Sequence, residues 1–222
     1  MNILEAINLK KYYGEEHNIV KAIDGVNITV KKGEFLAIVG TSGSGKSTLL
    51  NMLGGLDNPT TGQVIVTGQD ISLLSDEELT IFRRRNVGFI FQNFNLVPML
   101  NLYENIVLPL DLDGETIDEE YIEEVIELLH LGDKKRRFPN YLSGGEQQRG
   151  AIARALATKP SIILADEPTG NLDSKTSSEV LGLLKRTSKQ FNQTIVMITH
   201  NNEIAQLADR IVRIEDGKIY NR

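Results

Sequence analysis

A glycine-rich segment at residues 40–47 combines residue types that bind phosphate groups. It reads Gly40-Thr41-Ser42-Gly43-Ser44-Gly45-Lys46-Ser47 and matches the pattern G-x-x-x-x-G-K-[ST]. Glycines allow successive backbone N–H groups to point at a phosphate, and the start of a following helix adds partial positive charge. In loops of this kind the lysine contacts the β- and γ-phosphates of a nucleotide, and the last hydroxyl holds Mg²⁺. We therefore expect Lys46 to act on the phosphates and Ser47 to be a metal ligand.

The residues on either side of this segment favour a phosphate site over its alternatives. The apolar run Phe35–Val39 precedes it, and residues 48–53 can form a helix behind it, which is the strand–loop–helix context that the pattern requires. Without that context, the glycines could form an ordinary turn. A dinucleotide-binding loop is excluded because Thr48 stands where a third glycine or an alanine is expected. The expected phosphate-binding residues therefore run from Gly40 to Thr48.

A second apolar run, at residues 162–165, ends in two adjacent carboxylates, Asp166 and Glu167. This is the layout of a Walker B element. The first acid holds Mg²⁺ through its water shell, and the second polarises the water that attacks the γ-phosphate. The same acids before Pro168 could also be a polar strand end at the surface. Because a phosphate-binding loop stands in the same chain, we expect Asp166 to be a metal residue and Glu167 a catalytic residue.

Apolar patterning indicates the elements that would carry these residues. Residues 26–30 alternate apolar and polar side chains, as in a half-buried strand, while Phe35–Val39 is apolar throughout, as in a fully buried strand. Further strands are expected at residues 64–66, 87–91, 162–165 and 194–199, and a terminal hairpin at residues 211–220 with a turn at Asp216-Gly217. Helical patterns separate the later strands. This alternation predicts an α/β fold with a largely parallel sheet.

Residues 93–158 differ in character and predict a helical insert in the sheet domain. Residues 118–131 repeat apolar side chains at helical spacing. Thr116 and Glu119 form a capping-box pattern in front of this stretch, and Gly132 is expected to end the helix.

Composition excludes several classes of function. The 222-residue chain is 41% hydrophobic and 24% charged, which fits one compact globular domain. It has no cysteine, and its three histidines, His17, His130 and His200, lack the spacing of zinc ligands. The net charge of −6 gives no overall attraction to nucleic acid, so no nucleic-acid partner is expected. Acidic residues between 111 and 127 and a basic run at 134–137 indicate solvated faces, with partner docking as the alternative.

The chain shows no membrane-spanning or secretory pattern. No stretch approaches the roughly 18 consecutive apolar residues needed to cross a bilayer. The N-terminal residues lack the basic, apolar, small-residue order of a signal peptide. We therefore expect a cytoplasmic protein without direct membrane insertion.

Residues 142–149 carry a motif that points to a family. The segment reads Leu142-Ser143-Gly144-Gly145-Glu146-Gln147-Gln148-Arg149 and precedes a helical stretch. Ser143 with Glu146 is a capping box, which would start a helix in any protein. The glycines also leave a bare helix N-terminus that suits an anion. In sequence and placement the segment resembles the signature motif of ABC ATPases. This resemblance implies that Ser143, Gly144 and Gly145 contact the γ-phosphate of ATP held by the other subunit.

The resemblance to ABC ATPases extends along essentially the whole chain and implies roles for further residues. Gln92 matches the glutamine that contacts Mg²⁺ and the attacking water, and His200 matches the switch histidine that contacts the γ-phosphate. Asn171-Leu172-Asp173 matches the D-loop, which crosses the dimer interface. Tyr13 matches the aromatic residue that stacks on adenine, with neighbouring Tyr12 as the alternative. Each of these residues alone could be a polar strand end or packing, but their order relative to the phosphate motifs favours the functional assignments.

Two positions depart from the common pattern of the family. Glu146 replaces the more usual glutamine, and Gly170-Asn171 stand where serine-alanine is frequent. Neither departure removes a catalytic group. Glu146 adds negative charge near an incoming phosphate, so we expect a modest effect on ATP-dependent dimer affinity.

The resemblance also implies a fold and a set of ligands. It implies one nucleotide-binding domain over residues 1–222, with a P-loop NTPase (RecA-like) core at about 1–92 and 159–222. An N-terminal antiparallel β subdomain and an inserted α-helical subdomain at about 93–158 complete it. The implied ligands are ATP and Mg²⁺, the metal being held by Ser47, Gln92 and Asp166.

The branch of the family is indicated by residues 91–96, 104–109 and 165–173, which look like the subfamily that serves mechanotransmitting permeases. The resemblance implies an ATP-dependent homodimer, peripheral at the cell membrane, that hydrolyses ATP to drive a separate permease of the peptide or drug export, resistance or lipoprotein-release type. A cell-division ATPase that regulates a membrane partner without transport is the alternative. Repair and chromosome-organising relatives carry a long coiled coil between the phosphate loop and the signature. The interval from Ser47 to Leu142 is too short for one. The apolar residues between 94 and 102 could receive the permease or form subdomain core.

Overall fold

The computed structural model describes residues 1–15 and 18–220, so His17 lies outside the described residues. Within them the strands are β1 Asn2–Tyr13, β2 Val20–Lys31, β3 Phe35–Val39, β4 Thr61–Val66, β5 Gln69–Asp70, β6 Val87–Ile90, β7 Ile162–Asp166, β8 Ile195–Thr199, β9 Arg210–Glu215 and β10 Lys218–Tyr220. The α-helices are α1 Lys46–Leu53, α2 Asp76–Asn86, α3 Leu102–Asp113, α4 Glu119–Leu128, α5 Gly144–Ala157, α6 Ser174–Gln190 and α7 Asn202–Ala205.

The chain folds into two compact units. The first unit comprises residues 1–83 and 194–222, and the second unit comprises residues 84–193. Helices α3, α4 and α5 of the second unit occupy the interval for which a helical insert was expected. The subdomain boundaries at about 93 and 158 remain a prediction.

An antiparallel sheet of order β2-β1-β4-β5 forms one part of the first unit. Leu4 on β1 lies opposite Val30 on β2 and Val66 on β4. All three side chains are 0% exposed, because residues opposite one another on neighbouring strands point to the same face of the sheet, and this face is buried. This sheet is the antiparallel β region that the resemblance implies. Tyr13 is the last residue of β1 and lies opposite Val20 on β2.

Strand β3 is the central buried strand of the first unit. It lies between β8 and β9 and is parallel to both, while β10 returns antiparallel to β9. All residues of Phe35–Val39 are buried, as expected for a parallel strand covered on both faces. The hairpin turns at Asp216 and Gly217, whose φ angles of 46° and 72° fit a type I′ turn. The expected strands and hairpin are confirmed. The loop after β3 begins at the carboxyl ends of parallel strands, which is where α/β sheets bind ligands.

The second unit is organised around helix α5. Strands β6 and β7 run parallel, with Val87 opposite Ile162. Helix α5 packs against α3, α4, α6 and β6. Its buried residues include Gly145, Gln148 and Ile152, which recur at helical spacing. Across residues 1–15 and 18–220, no helix is both long and apolar enough to cross a membrane.

Helix α4 shows that the expected ends of the helix at residues 118–131 were wrong. Its N-cap is Asp118, whose carboxylate accepts a backbone hydrogen bond from the first turn, and not Thr116. At the other end His130, with φ 54°, takes the left-handed conformation that was expected of Gly132. Gly132 instead begins a short 3-10 turn. Both errors arise because two nearby residues could each serve as the cap, and only the three-dimensional path of the chain selects one.

Candidate functional site

The loop between β3 and α1 can form only with glycine at two positions. Gly45 has φ 98°, and a Cβ there would lie 2.3 Å from the carbonyl oxygen of Ala22. A Cβ on Gly40 would lie 2.4 Å from the carbonyl oxygen of Ile214. Both contacts are too short for any side chain. The glycines of the motif therefore allow the loop to pack against its own backbone neighbours and leave its N–H groups unshielded by side chains.

Lys46 is the first residue of α1 and is only 6% exposed. Its Nζ donates hydrogen bonds to the carbonyl oxygens of Gly40 at 3.0 Å and Thr41 at 2.7 Å. Within the described parts of the chain, Lys46 forms no ion pair with a carboxylate. A buried ammonium group without a negative partner is costly. An anion such as a phosphate therefore fits beside this side chain.

The start of helix α1 adds further donors at the same place. Its N-cap is Gly45, which has no side chain that could cap the first N–H groups of the helix. Ser44 is 4% exposed, and its Oγ has no hydrogen-bond partner among residues 1–15 and 18–220. Helix N–H groups without a cap and a buried hydroxyl suit the oxygens of a phosphate. Ser47 and Thr48 continue the first turn of this helix.

The side chains of Tyr12 and Tyr13 have different partners at the end of β1. The Tyr12 hydroxyl donates to Asp24 Oδ1 at 2.6 Å. The Tyr13 hydroxyl donates to Asp57 Oδ2 at 2.8 Å, and the side chain of Thr48 in α1 lies near enough to act on the pKa of Tyr13. Partial burial and the bond to Asp57 raise the pKa of Tyr13 above its usual value. Since Tyr13 lies near the helix that follows the phosphate loop, its placement favours Tyr13 over Tyr12 as the adenine-stacking residue, which stays a prediction.

The acidic pair stands at the end of β7 in the second unit. Asp166 is the last residue of the strand, and Glu167 follows with φ 44°. The left-handed region costs a non-glycine residue about 1–3 kcal/mol, and such residues cluster at functional sites. The Glu167 carbonyl accepts a hydrogen bond from the Gly170 N–H at 2.9 Å, which closes a tight turn. The two acids therefore stand on backbone of different conformation, in agreement with separate roles.

Gln148 on α5 is a residue that sequence reasoning missed. Its side chain is 0% exposed. Its Nε2 donates to the Pro168 carbonyl at 2.6 Å and, more weakly, to the Phe91 carbonyl at 3.4 Å. The buried amide thus ties α5 to the turn after Glu167 and to the residue before Gln92. The signal that could have revealed it is a polar residue at the helical spacing of the buried face of α5.

The signature helix α5 begins with the expected capping box. Ser143 Oγ accepts the Glu146 N–H at 3.3 Å, and Glu146 Oε2 accepts the Ser143 N–H at 2.7 Å. Lys134 Nζ lies 3.3 Å from Glu146 Oε1. Burial acts to raise the pKa of Glu146, but the hydrogen bonds from Ser143 and Lys134 outweigh it and hold the pKa below its usual value. Glu146 is therefore a carboxylate whose charge is partly balanced within its own chain.

We expect Glu146→Gln to strengthen ATP-driven dimerisation by about twofold to fivefold, because it removes negative charge beside the expected phosphate while the capping geometry is kept. The gain is small because Lys134 already balances part of that charge, and partly exposed ion pairs are worth up to about 1 kcal/mol. Dimer affinity would be measured by sedimentation at several ATP concentrations. Glu123→Gln, which removes a carboxylate paired with Lys135, is the matched control. Equal affinities of wild type and Glu146→Gln would refute the expected effect.

The glycines of the signature lie against the D-loop and the first turn of α6. A Cβ on Gly144 would lie 3.1 Å from Leu172 Cδ2, and one on Gly145 would lie 2.5 Å from Thr176 Cγ2. Asp173 caps α6 and accepts a hydrogen bond from the Thr176 hydroxyl at 2.6 Å. The structure therefore brings the signature and the D-loop together within the second unit.

The expected site residues are distributed over both units. Tyr13, residues 40–48 and His200 belong to the first unit, and the other candidates belong to the second unit. His200 follows β8 directly and is exposed. Their roles in binding and catalysis stay predictions.

The expected Mg²⁺ site would need few protein ligands. Among the described residues, no group of three or more His, Cys, Asp and Glu side chains could hold a metal ion. Mg²⁺ at phosphate sites is usually held by one or two carboxylates together with waters and phosphate oxygens. Ser47 at the start of α1 and Asp166 at the end of β7 are oxygen donors of the type that this ion prefers.

Comparison with known proteins gives a family match and close relatives. The family model described as ABC transporter matches residues 23–170. The "Uncharacterized ABC transporter ATP-binding protein MJ0796" of Methanocaldococcus jannaschii is 46% identical over 218 residues, covering 96% of this chain and 93% of that protein. The "Bacitracin export ATP-binding protein BceA" of Halalkalibacterium halodurans is 43% identical over 225 residues, covering 100% of this chain and 88% of that protein.

A longer relative and a solved structure extend the comparison. The "Macrolide export ATP-binding/permease protein MacB" of Syntrophobacter fumaroxidans is 44% identical, covering 99% of this chain but 31% of that protein. The structure described as a dimeric post-hydrolysis state of the ATP-binding cassette MJ0796 bound to ADP and Pi superposes with a TM-score of 0.88 at 43% identity, covering 98% of this chain and 97% of that chain. With the phosphate loop, the acidic strand end and the signature helix all in place, the chain belongs to the ABC transporter family as an ATP-binding domain.

Proposed function

We propose that two copies of this chain close around two ATP molecules, hydrolyse them, and thereby drive a separate membrane permease. The observation that carries the proposal is the buried Lys46, which stands at an uncapped helix start and pairs with no carboxylate of the described chain. A phosphate supplies the missing negative charge. The dimeric relative bound to ADP and Pi supports both the ligand and the assembly.

Within this proposal each residue has a separate task. Lys46 and the backbone of residues 40–48 hold the phosphates, and Tyr13 stacks on the adenine. Ser47, Asp166 and Gln92 hold Mg²⁺, which when bound stabilises negative charge on the phosphates. Glu167 accepts a hydrogen bond from the attacking water and takes its proton. His200 contacts the γ-phosphate.

The second copy completes each site. Ser143, Gly144 and Gly145 of that copy contact the γ-phosphate from the opposite side, and Asp173 lies at the interface between the copies. The start of a helix carries partial positive charge and attracts the γ-phosphate. ATP has this phosphate and ADP lacks it, so the second copy binds ATP more strongly than ADP. The dimer is therefore expected to close with ATP and to open after hydrolysis.

Residues 94–102 supply the surface that we propose for the permease. Leu102 is 0% exposed and belongs to the core of the second unit, whereas Met99 is 86% exposed and Val97 is 37% exposed. Both interpretations of this apolar segment thus account for part of it. The relatives named for bacitracin and macrolide export favour a permease for peptide or drug export or resistance. A lipoprotein-release type uses the same engine. Such a partner would hold the chain at the cytoplasmic face of the membrane.

Single-cysteine crosslinking tests the proposal, because the chain has no cysteine of its own. We expect Met99→Cys to crosslink to a multispanning membrane protein in native membranes, and the isolated conjugate to release phosphate from Mg²⁺-ATP. Leu73→Cys, at a position 80% exposed in the first unit, is the matched control and should form no such conjugate. Equal crosslinking from both positions, or a conjugate that releases no phosphate, would contradict the proposal.

A further inference from the structure

The Gly170-Asn171 departure from the common family pattern forms a specific contact with Gln92. Gln92 Nε2 donates to Asn171 Oδ1 at 3.1 Å. In return, Asn171 Nδ2 donates to the Gln92 backbone carbonyl at 3.1 Å and to Asn93 Oδ1 at 2.8 Å. A Cβ on residue 170 would lie 2.7 Å from Gln92 Nε2. Glycine at 170 therefore gives the Gln92 side chain its space, and asparagine at 171 binds it.

This contact fixes which end of each amide faces which partner. A backbone carbonyl can only accept a hydrogen bond, so the Asn171 atom that faces the Gln92 carbonyl must be its nitrogen. The other end of the Asn171 amide, Oδ1, then requires a donor, and Gln92 Nε2 is that donor. The pairing uses the nitrogen of the Gln92 amide and leaves its oxygen, Oε1, for another partner. Only the oxygen of an amide can ligate Mg²⁺ or accept a hydrogen bond from water.

The backbone beyond Gln92 is held from a different direction. The Arg154 guanidinium on α5 donates to the carbonyl of Phe94 at 3.1 Å and to that of Asn95 at 2.6 Å. Burial lowers the pKa of Arg154, whose partners here are carbonyl groups. Helix α5 thus positions the main chain of this segment, while Asn171 sets the orientation of the Gln92 side chain.

We propose that Asn171, with the space provided by Gly170, is a positioning residue that orients the Gln92 amide with its oxygen available to Mg²⁺ and the attacking water. The inference rests on the proposed function, because Gln92 has a metal to meet only if the chain binds Mg²⁺-ATP. It also joins the D-loop to Gln92 within one chain. A change of D-loop position when the two copies close would therefore be transmitted to Gln92 through a pair of amide hydrogen bonds.

The test compares Asn171→Ala and Gly170→Ser with Asn93→Ala as the matched control. The first two substitutions introduce the residue types that are frequent at these positions in the family. Asn93→Ala removes one hydrogen bond of Asn171 but keeps the bond from Gln92. The first readout is the Mg²⁺ concentration at half-maximal binding of a non-hydrolysable ATP analogue. The second is the side-chain amide resonance of Gln92 in the nucleotide-free protein, assigned by its loss in Gln92→Ala.

We expect Asn171→Ala and Gly170→Ser each to raise the half-saturating Mg²⁺ concentration by about threefold to tenfold, as for the loss of one hydrogen bond. Binding of the analogue without Mg²⁺ should be unchanged, and Asn93→Ala should stay within about twofold. The Gln92 amide resonance should shift in Asn171→Ala toward that of an exposed amide. The double variant Gln92→Ala/Asn171→Ala should have the same half-saturating Mg²⁺ concentration as Gln92→Ala alone, since Asn171 acts through Gln92.

The inference would be overturned if Asn171→Ala left the half-saturating Mg²⁺ concentration unchanged, or raised it equally when Gln92 was already replaced by alanine. It would also be overturned if the Gln92 side-chain resonance were the same in the wild type and in Asn171→Ala. Failure of the proposed function is a different result. In that case the wild type binds no analogue with or without Mg²⁺, and the Gln92 resonance in the nucleotide-free protein alone decides whether Asn171 orients the amide.

Discussion

Replacing Glu167 with glutamine is expected to lower the turnover of ATP by about a hundredfold to ten-thousandfold while ATP binding is kept. Glutamine has nearly the same shape as glutamate but cannot take a proton from water. The contacts expected of Lys46 with the phosphates and of Asp166 with the metal do not depend on it. Turnover would be measured as phosphate release, and binding by equilibrium titration with a fluorescent ATP analogue.

A matched control separates this effect from a general loss of charge. Glu179→Gln removes an exposed carboxylate on α6 in the same unit and should leave turnover within about twofold, as for most surface substitutions. If Glu167→Gln turned over ATP at nearly the wild-type rate, another residue would have to activate the water. The separate roles of Asp166 and Glu167 would then have to be reassigned.

Replacing Lys46 with alanine is expected to weaken ATP binding by about a hundredfold or more. Hydrogen bonds to charged groups contribute about 1.5–3 kcal/mol each, and the lysine is expected to contact both the β- and the γ-phosphate. The same titration with a fluorescent analogue measures the loss. Lys32→Ala, which removes an exposed lysine from the first unit, should bind ATP as the wild type does.

The fold of Lys46→Ala must be checked because Lys46 also holds the carbonyls of Gly40 and Thr41. Losing these two hydrogen bonds should lower the free energy of unfolding of the nucleotide-free chain by about 1–3 kcal/mol. The variant should still fold, and thermal unfolding would measure the loss of stability. A variant that unfolds cooperatively and still binds ATP with wild-type affinity would contradict the assignment of the phosphate loop.

The local parts of the fold and the site could be predicted from the sequence. Residues 35–53 were expected to form a buried strand, a glycine loop and a helix, and they do so as β3, the loop and α1. The capping box of Ser143 and Glu146 was also confirmed. These features depend on neighbours in the chain: apolar runs, glycines at positive φ, and a hydroxyl at a helix start.

Contacts between distant residues could not be predicted in the same way. The pairing of Gln92 with Asn171 joins residues 79 apart in sequence, and nothing in either segment specifies the other. The buried amide of Gln148 was missed for a related reason, because its partners are backbone carbonyls that any residue could supply. The departure at residues 170–171 was visible in the sequence, but only the fold shows that these residues contact Gln92.

Charged runs were only partly understood from the sequence. The basic run at residues 134–137 was expected to form a solvated face. Arg136 and Arg137 are exposed, in agreement with that prediction, whereas Lys134 contacts Glu146 of the signature and Lys135 contacts Glu123 of α4 at 2.8 Å. Such pairs depend on how the helices pack, since opposite charges become partners only when the fold brings them within about 4 Å. The extra charge of Glu146 was visible in the sequence, but the lysine that balances it had to be found in the structure.

The central claim is that ATP closes two copies of this chain around shared sites. Sedimentation of Glu167→Gln with and without Mg²⁺-ATP tests this claim most directly, because the variant should keep ATP without turning it over. We predict twice the mass of one chain with two bound ATP molecules in the presence of Mg²⁺-ATP, the mass of one chain without nucleotide, and loss of the dimer when Ser143→Arg is added. The mass of a single chain at saturating Mg²⁺-ATP would contradict the account.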